Sequence, residues 1–172
     1  MEPDLTAAVI VRSAAAADLA EIVRIYNSSI PSRLATADLE AVSVGDRADW
    51  FAGHNEARRP IWVTEVDGAI VGWLSLSDFH PRAAYGATSE VSIYFDPDVH
   101  GRGLARLLLS KAIDRAPALG IDTLIGLIFG HNERSLGLFA SFGFETWGVL
   151  PRVCVLDDID RDVVIVGRRL AP

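Results

Sequence analysis

Apolar and polar positions recur along the chain with two different spacings. Residues 7–12, AAVIVR, are a short apolar run of the kind that forms a strand. The next segment carries Leu19, Ile22 and Tyr26 at helical spacing, and we expect Pro31 to end that helix. The chain therefore opens with a strand and a helix, and an irregular stretch follows them.

The middle of the chain has the pattern of a second helix followed by three strands. DRADWFAGHNEA predicts the helix, with Asp46 as its N-cap. Two β-rich runs in residues 60–79 flank Asp67 and Gly68, a pair that is strongly favoured in hairpin turns. ATSEVSIYF, residues 87–95, predicts the third of these strands, which Asp96 and Pro97 should stop.

The second half of the chain alternates between helical and strand patterns. A leucine-rich helix, which Pro117 should stop or kink, is followed by a strand, a helix and two strands. These segments are residues 103–116, 122–129, 132–142, 144–150 and 161–170. The complete order, β-α-α-β-β-β-α-β-α-β-β, predicts one α/β (α+β) domain over residues 5–170. We expect a mixed, mostly antiparallel sheet with helices on both faces.

Composition and charge narrow the classes of protein to consider. The chain has 172 residues, half of them apolar, and a net charge of -7 without a basic block, which argues against a nucleic-acid partner. No signal peptide is visible, and the apolar runs are too short to span a bilayer, so we expect a cytoplasmic protein without a membrane partner. The single cysteine, Cys154, stands between Val153 and Val155 and is expected to pack as a small buried apolar residue.

Two glycines stand where a helix has to begin. In DPDVHGRGLARLLLS, residues 96–110, Gly101 and Gly103 precede the leucine-rich helix, although glycine is a poor helix former. The first N–H groups of a helix are free and carry partial positive charge, and glycine leaves them uncovered, so the stretch is suited to hold an anion. Arg102 and Arg106 add charge. A plain glycine turn without a ligand remains an alternative.

Two familiar phosphate-binding loops do not match this stretch. A Walker loop needs Gly-Lys-Ser or Gly-Lys-Thr, which the chain does not contain here. A Rossmann fingerprint needs a third glycine at the position of Arg106.

The segment HGRGLA resembles the pyrophosphate-binding segment of the GNAT superfamily of acetyl-CoA-dependent N-acetyltransferases. Gly103 and Ala105 match its last two small positions, whereas His100 stands where the family has Gln or Arg. The order of IYNSSI, SEVSIYFDPDVHGRGLARLLL and HNERSLGLFASFGFETWG is similar to that of the phosphinothricin and methionine-sulfoximine acetyltransferases. This resemblance implies a GNAT fold, acetyl-CoA as cosubstrate, no metal, a small L-amino-acid-like amine as acceptor and a homodimer.

The resemblance also implies roles for particular residues. Glu90 matches the proposed general base, although a glutamate at a strand start is commonly just a surface residue. Main-chain groups of residues 93–95 would pair with the pantetheine arm and supply an oxyanion donor, and an ordinary core strand would look the same. The implied cofactor-binding residues are Ile93, Tyr94, Phe95, Gly101, Arg102, Gly103, Leu104, Ala105, Arg106, Asn132 and Ser135. Asn132 could equally be the N-cap of its helix.

The acceptor side carries the departures from the family pattern. Arg82 and Tyr85 fall in a loop that lies beside the amino acid substrate in this branch, and Arg82 could bind a carboxylate or simply be exposed. Phe139 replaces the Tyr or His that could protonate the departing sulfur, so the thiolate would leave unaided or the enzyme would be slow. The acidic stretch at residues 157–160 either favours a cationic or neutral acceptor or is a solvated turn.

Three functions remain open on the sequence alone. The first is acetyl transfer from acetyl-CoA to a small amine or amino acid. The second is a coenzyme A-binding sensor with little turnover, which the departures at His100 and Phe139 support. The third is acetylation of a protein or peptide, which a closed, small acceptor pocket would disfavour.

Overall fold

The structure is a computed structural model that describes residues 8–170. The helices are α1 (Leu19–Ser29), α2 (Val44–Ala52), α3 (Leu104–Arg115) and α4 (Glu133–Ser141). The strands are β1 (Val9–Ser13), β2 (Ile61–Val66), β3 (Ala69–Asp78), β4 (Thr88–Phe95), β5 (Thr123–Phe129), β6 (Glu145–Leu156) and β7 (Ile159–Arg169). The predicted order of strands and helices is confirmed. Residue 7 of the first predicted strand and residues 5–7 of the predicted domain lie outside the described part.

The strands form one seven-stranded sheet in the order β1-β2-β3-β4-β5-β7-β6. Neighbouring strands are antiparallel except β4 and β5, which are parallel. Parallel neighbours cannot be joined by a tight turn, and α3 lies in the crossover between them. The predicted mixed, mostly antiparallel sheet is therefore confirmed. No helix in residues 8–170 is long and apolar enough to cross a membrane.

Helices cover both faces of the sheet. On one face, Leu108 and Leu109 of α3 and Phe139 of α4 pack with Leu124 of β5 in the larger core. On the other face, Ile22 and Ile25 of α1 are buried in a second core. Trp73 of β3 joins that core and donates its indole N–H to the Ile22 carbonyl at 3.0 Å. The amphipathic spacing of α1 and α3 thus buries one side of each helix against the sheet.

The start of α2 differs from the prediction. Ser43, not Asp46, is the N-cap: Ser43 Oγ accepts from the Asp46 N–H at 3.1 Å, and Asp46 Oδ2 accepts from the Ser43 N–H at 2.8 Å. This reciprocal capping box satisfies two N–H groups instead of one, which explains why the helix begins earlier than expected. The helix ends at Ala52, and a bridge between Asn55 and Arg59 replaces its predicted last turn.

The edge strand β6 is longer than the sequence predicts. It continues through Pro151 to Leu156, with a register shift between Leu150 and Cys154. A proline is tolerated there because an edge strand with a bulge does not need every N–H for pairing. Cys154, expected to be buried, is only half-buried, and its neighbour Val155 is 57% exposed. An edge position leaves one side of the strand to solvent.

Candidate active site

The site is built on the separation of β4 from β5. These strands pair at only three positions, the last of which joins Glu90 to Ile125. Beyond that pair, β4 continues to Phe95 and β5 to Phe129 without pairing to each other. A wedge therefore opens between two strands in the middle of the sheet, where unpaired main-chain groups are unusual.

The ladder between β3 and β4 shows which main-chain groups of β4 face the wedge. The Asp96 N–H, directly after β4, donates to the Val71 carbonyl of β3 at 2.8 Å. Because pairing alternates along an antiparallel strand, the N–H and C=O groups of Ile93 and Phe95 point away from β3. The wedge is thus lined by the main-chain donors and acceptors that the sequence suggested for residues 93–95.

A large cavity of about 610 Å³ runs from this wedge to the start of α3. Its lining includes ten of the eleven predicted cofactor-binding residues: Ile93, Tyr94, Phe95, Gly101, Gly103, Leu104, Ala105, Arg106, Asn132 and Ser135. Arg102 is the exception, and its side chain is exposed. Arg106 and Arg134 give this cavity its positive charge.

The glycines at the start of α3 are required by backbone conformation. Gly101 has φ +81° and Gly103, the N-cap of α3, has φ +79°, in the left-handed region that side chains rarely adopt. A Cβ placed on either residue would meet no protein atom within 4 Å, so the space in front of the helix start is open. The first N–H groups of α3 therefore remain uncovered at the end of the large cavity, as an anion site requires.

His100 contacts the strand that lines the large cavity. Its Nε2 lies 3.2 Å from the Phe95 carbonyl oxygen, one of the groups that face the wedge. Burial, the largest effect, lowers the pKa of His100, and the nearby Arg134 lowers it further, so the neutral ring is favoured. A neutral imidazole can donate from Nε2 to this carbonyl. His100, which departs from the family pattern, thus holds the main chain of β4 at Phe95 through a hydrogen bond.

The irregular segment between α1 and α2 forms a roof over the wedge. Its three consecutive carbonyl groups at Arg33, Leu34 and Ala35 accept hydrogen bonds from His131 Nε2, Asn132 Nδ2 and the Tyr94 hydroxyl, at 2.8, 2.9 and 3.2 Å. Tyr94 belongs to β4, whereas His131 and Asn132 follow β5. The segment is therefore tied to both sides of the wedge.

Asn132 has two roles in the structure. Its Oδ1 accepts from the Ser135 N–H at 3.1 Å and caps α4, while its Nδ2 donates to the Leu34 carbonyl. The predicted capping role is confirmed by this geometry. Asn132 and Ser135 also line both cavities of the site, so a cap residue can lie beside a ligand.

A small cavity of about 330 Å³ adjoins the large one and contains Glu90. Six residues line both cavities and mark their junction: Leu34, Ala35, Ile93, Tyr94, Asn132 and Ser135. Glu90 is the only charged side chain among the described residues that line the small cavity. Burial raises the pKa of Glu90, which makes its carboxylate a better proton acceptor near neutral pH.

Phe139 and Cys154 also line the small cavity. Phe139 is 2% exposed and packs edge-on against Phe144, with ring centroids 4.9 Å apart. It has no group that can donate a proton. Sequence reasoning missed Cys154 as a cavity residue, because its inward position depends on the bulge in β6.

Arg82 and Tyr85 lie in the connection between β3 and β4, outside the linings of both cavities. Tyr85 is exposed and lies against His80, with ring centroids 4.7 Å apart. The structure therefore does not bring these two residues together with Glu90. Residues 34–37, by contrast, line the small cavity, and their ordinary side chains gave no signal in the sequence.

This arrangement defines a class of enzyme. A basic, open helix start, a wedge of unpaired main-chain groups and a half-buried carboxylate at its closed end suit the transfer of a group from a long anionic carrier to an amine. The model of the acetyltransferase (GNAT) family matches residues 19–144. The chain belongs to the GNAT family of acetyltransferases and is therefore an acetyltransferase.

Similar proteins point to one part of that family. The chain is 46% identical over 155 residues to "Putative phosphinothricin acetyltransferase YwnH" of Bacillus subtilis, covering 90% of this chain and 94% of the relative. It is 33% identical over 144 residues to the L-methionine sulfoximine/L-methionine sulfone acetyltransferase of Pseudomonas aeruginosa, covering 83% and 84%. A solved phosphinothricin acetyltransferase of Sinorhizobium meliloti in complex with AcCoA has a TM-score of 0.89 at 31% identity, covering 95% and 89%.

Proposed function

We propose that this protein transfers an acetyl group from acetyl-CoA to the amine of a small L-amino-acid-like acceptor. The observation that carries the proposal is the junction of the two cavities. A basic helix start lies at one end, Glu90 lies at the other, and the unpaired main chain of Ile93 lies between them. The relatives named for phosphinothricin and methionine sulfoximine support an amino-acid-like acceptor.

The large cavity would hold acetyl-CoA. Its pyrophosphate would bind the N–H groups at residues 101–106, with charge from Arg106 and Arg134 and little help from the exposed Arg102. Its pantetheine arm would lie in the wedge against the main chain of residues 93–95, beside Asn132 and Ser135. Only the backbone is needed for most of these contacts, so the identity of the side chains matters less than their size.

The reaction needs a proton acceptor and a donor for the oxyanion. Glu90, directly or through a water molecule, would take the proton from the acceptor's ammonium group, and the freed amine would attack the thioester carbon. The N–H of Ile93 would donate to the developing oxyanion. The C–N bond forms, the nitrogen loses its second proton to solvent, the C–S bond breaks, and coenzyme A leaves as a thiolate. A thiol pKa of roughly 8.5 allows this departure without a protein acid, which fits Phe139.

The acceptor would occupy the small cavity. The neighbouring connection with Arg82 and Tyr85 remains the predicted site for its α-carboxylate, since an arginine can bind a carboxylate through two parallel hydrogen bonds. Those residues would have to move toward the cavity when the acceptor binds, because they do not line it here.

A homodimer is proposed together with this activity, in a cytoplasmic setting. Support comes from the exposed apolar side chains of the edge strand β6 and its hairpin: Trp147, Val149, Leu150, Val153, Val155 and Ile159. Exposed apolar side chains along a sheet edge are commonly covered in an oligomer. Light scattering at micromolar concentration should give twice the chain mass of 18.6 kDa, and a monomer would contradict the proposal.

A thiol-release screen tests the proposed function. We expect acetyl-CoA-dependent release with phosphinothricin, methionine sulfoximine or methionine sulfone, and much weaker release with polyamines and peptides. Mass spectrometry should show one added acetyl group on the acceptor nitrogen. Binding of acetyl-CoA without release for any amine would favour a sensor, and release only with peptides would favour a peptide acetyltransferase.

A further inference from the structure

Arg161 of β7 is the cross-strand neighbour of a residue that lines the small cavity, and it forms no salt bridge with an acidic side chain among the described residues. It is half-buried, and its Nε is fully buried with no hydrogen-bond partner. Leaving a guanidinium N–H desolvated and unpaired is unfavourable, so such a group usually has a partner in the working protein. Neither the family match nor the proposed reaction assigns this residue a role.

The strand register puts Arg161 on the same face of the sheet as two residues that line the small cavity. Arg161 is the cross-strand partner of Cys154, which lines the cavity, and it lies two residues from Val163, which also lines it. Directly opposite residues and residues two apart share a face of a sheet. Phe129, the partner of Val163, lies on this face too.

The neighbouring acidic side chains do not neutralise Arg161. Asp157 is held by Arg33, with Oδ2 and Oδ1 at 2.9 and 3.1 Å from its Nε and Nη2. Asp162 accepts from the Arg152 N–H at 2.8 Å, and it faces the opposite side of the sheet because side chains alternate along a strand. In the acidic stretch at residues 157–160, Asp157 is thus bound to Arg33, and neither Asp158 nor Asp160 forms a salt bridge with Arg161 among the described residues.

The distance along the sheet indicates which part of an acceptor Arg161 could bind. Glu90 lies level with Ile125 and Gly167, whereas Arg161 lies six residues further along β7. Six strand residues span about 20 Å. An α-carboxylate is separated from the reacting nitrogen by a single carbon and lies too close to Glu90 to reach Arg161. A group at the far end of the acceptor's side chain is better placed, because the long arginine side chain covers part of the distance.

We infer that Arg161 binds an acidic group at the far end of the acceptor, and that it makes the small cavity selective for acceptors with an anionic side chain. The inference rests on the proposed function and extends it to the acceptor class. Phosphinothricin and methionine sulfone provide a matched test, because a phosphinate and a sulfone are both tetrahedral and nearly equal in size. Only the phosphinate is charged.

The experiment measures kcat/KM for both acceptors in the wild type and in Arg161→Gln. We expect the wild type to prefer phosphinothricin, and Arg161→Gln to lower that preference by about 10- to 100-fold, the effect of losing a charge-assisted hydrogen bond. Arg161→Lys should retain part of the preference. Arg169→Gln, on the same strand but at its far end and exposed, is the matched control and should leave the preference unchanged.

Other outcomes distinguish a role of Arg161 in specificity from a structural role and from the expected role of Arg82. Arg82→Gln should weaken both acceptors equally if Arg82 binds the α-carboxylate that they share. An equal loss for both acceptors in Arg161→Gln would mean a structural role, such as a direct bond to the unpartnered Nδ1 of His131, and would overturn the inference. A wild type that prefers methionine sulfone would overturn it as well.

A direct binding measurement covers the case in which no amine is acetylated. Turnover of neither acceptor would reject the proposed function. Calorimetric titration of phosphinothricin and methionine sulfone into the protein with bound coenzyme A would then decide the role of Arg161. Tighter phosphinothricin binding that disappears in Arg161→Gln would support the inference, and equal or absent binding of the two compounds would reject it.

Discussion

Glu90 and Ile125 form the last residue pair between the parallel strands β4 and β5. One residue further along β4, the two strands separate and the wedge begins. The half-buried carboxylate is therefore fixed by strand pairing at the closed end of the wedge, while the main-chain groups of β4 beyond it are not paired with β5. Both features depend on the point at which the pairing stops.

The first prediction concerns the rate of transfer. Glu90→Gln keeps the shape of the side chain and removes its ability to accept a proton. The rate should fall by about 10²–10⁴, the usual contribution of a positioned base. The loss should become smaller at high pH, where the amine is already deprotonated in solution. Steady-state kinetics from pH 6 to 10 test this, and full activity of the variant at neutral pH would remove Glu90 from the mechanism.

The same substitution should raise stability at neutral pH. Burial raises the pKa of Glu90 above its ordinary value of 4.5, so the folded state holds this proton more tightly than the unfolded chain. At pH values above 4.5, the ionised Glu90 side chain therefore lowers the free energy of unfolding. This destabilisation disappears at lower pH. Thermal melts should show a higher Tm for Glu90→Gln at pH 7 and little difference near pH 4. A lower Tm at pH 7 would contradict this.

The helix start should tolerate no side chain at Gly103. Valine there would strain a backbone with φ +79° and put methyl groups into the open space before α3. Gly120→Val is the control, because Gly120 has φ +72° with equally open surroundings but lies outside both cavities. Both variants should lose stability, and only Gly103→Val should bind acetyl-CoA at least about 10-fold more weakly, as calorimetry can show. Equal affinities would disprove the anion site.

Two substitutions at Asn132 should separate its roles. Asn132→Asp retains the oxygen that caps α4 and loses the donor to the Leu34 carbonyl, whereas Asn132→Ala loses both. Only the alanine variant should lose about 1–2 kcal/mol of stability through the cap. Both should raise the KM for the acceptor by about 2- to 10-fold, because the roof over the wedge loses a hydrogen bond. Denaturant melts and kinetics measure the two effects independently.

The last prediction concerns the leaving group. Phe139→Tyr adds a hydroxyl beside the small cavity, where Phe139 contacts Phe144. If coenzyme A leaves as the thiolate without a protein acid, the rate should rise by far less than the roughly 10²-fold that a needed acid contributes. A gain of that size in single-turnover experiments would show that protonation limits the reaction of the natural chain.

Much of the site was predictable because it depends on local chemistry. The glycines before α3 mark the need for positive φ at that turn, and their place between a strand and a helix indicates an anion site. The order of elements followed from periodicity, and resemblance to one family suggested Glu90 and Asn132, which both line the small cavity. The N-cap of α2 was misplaced because Ser43 and Asp46 are both good caps, and only the folded backbone shows their reciprocal bonds.

The parts that could not be predicted depend on contacts between distant segments. Residues 34–37 line the small cavity because His131, Asn132 and Tyr94 hold the neighbouring carbonyls, and nothing in their own side chains indicates that. Cys154 turns inward because β6 has a bulge at the sheet edge. Arg161 lies next to a cavity residue because antiparallel pairing puts it opposite Cys154. The sequence by itself determined the order of strands and helices and the bare start of α3, because these depend on residues close together in the chain. Only the tertiary structure decided where β4 leaves β5 and which side chains surround the cavity, because strand register joins residues that are far apart in sequence.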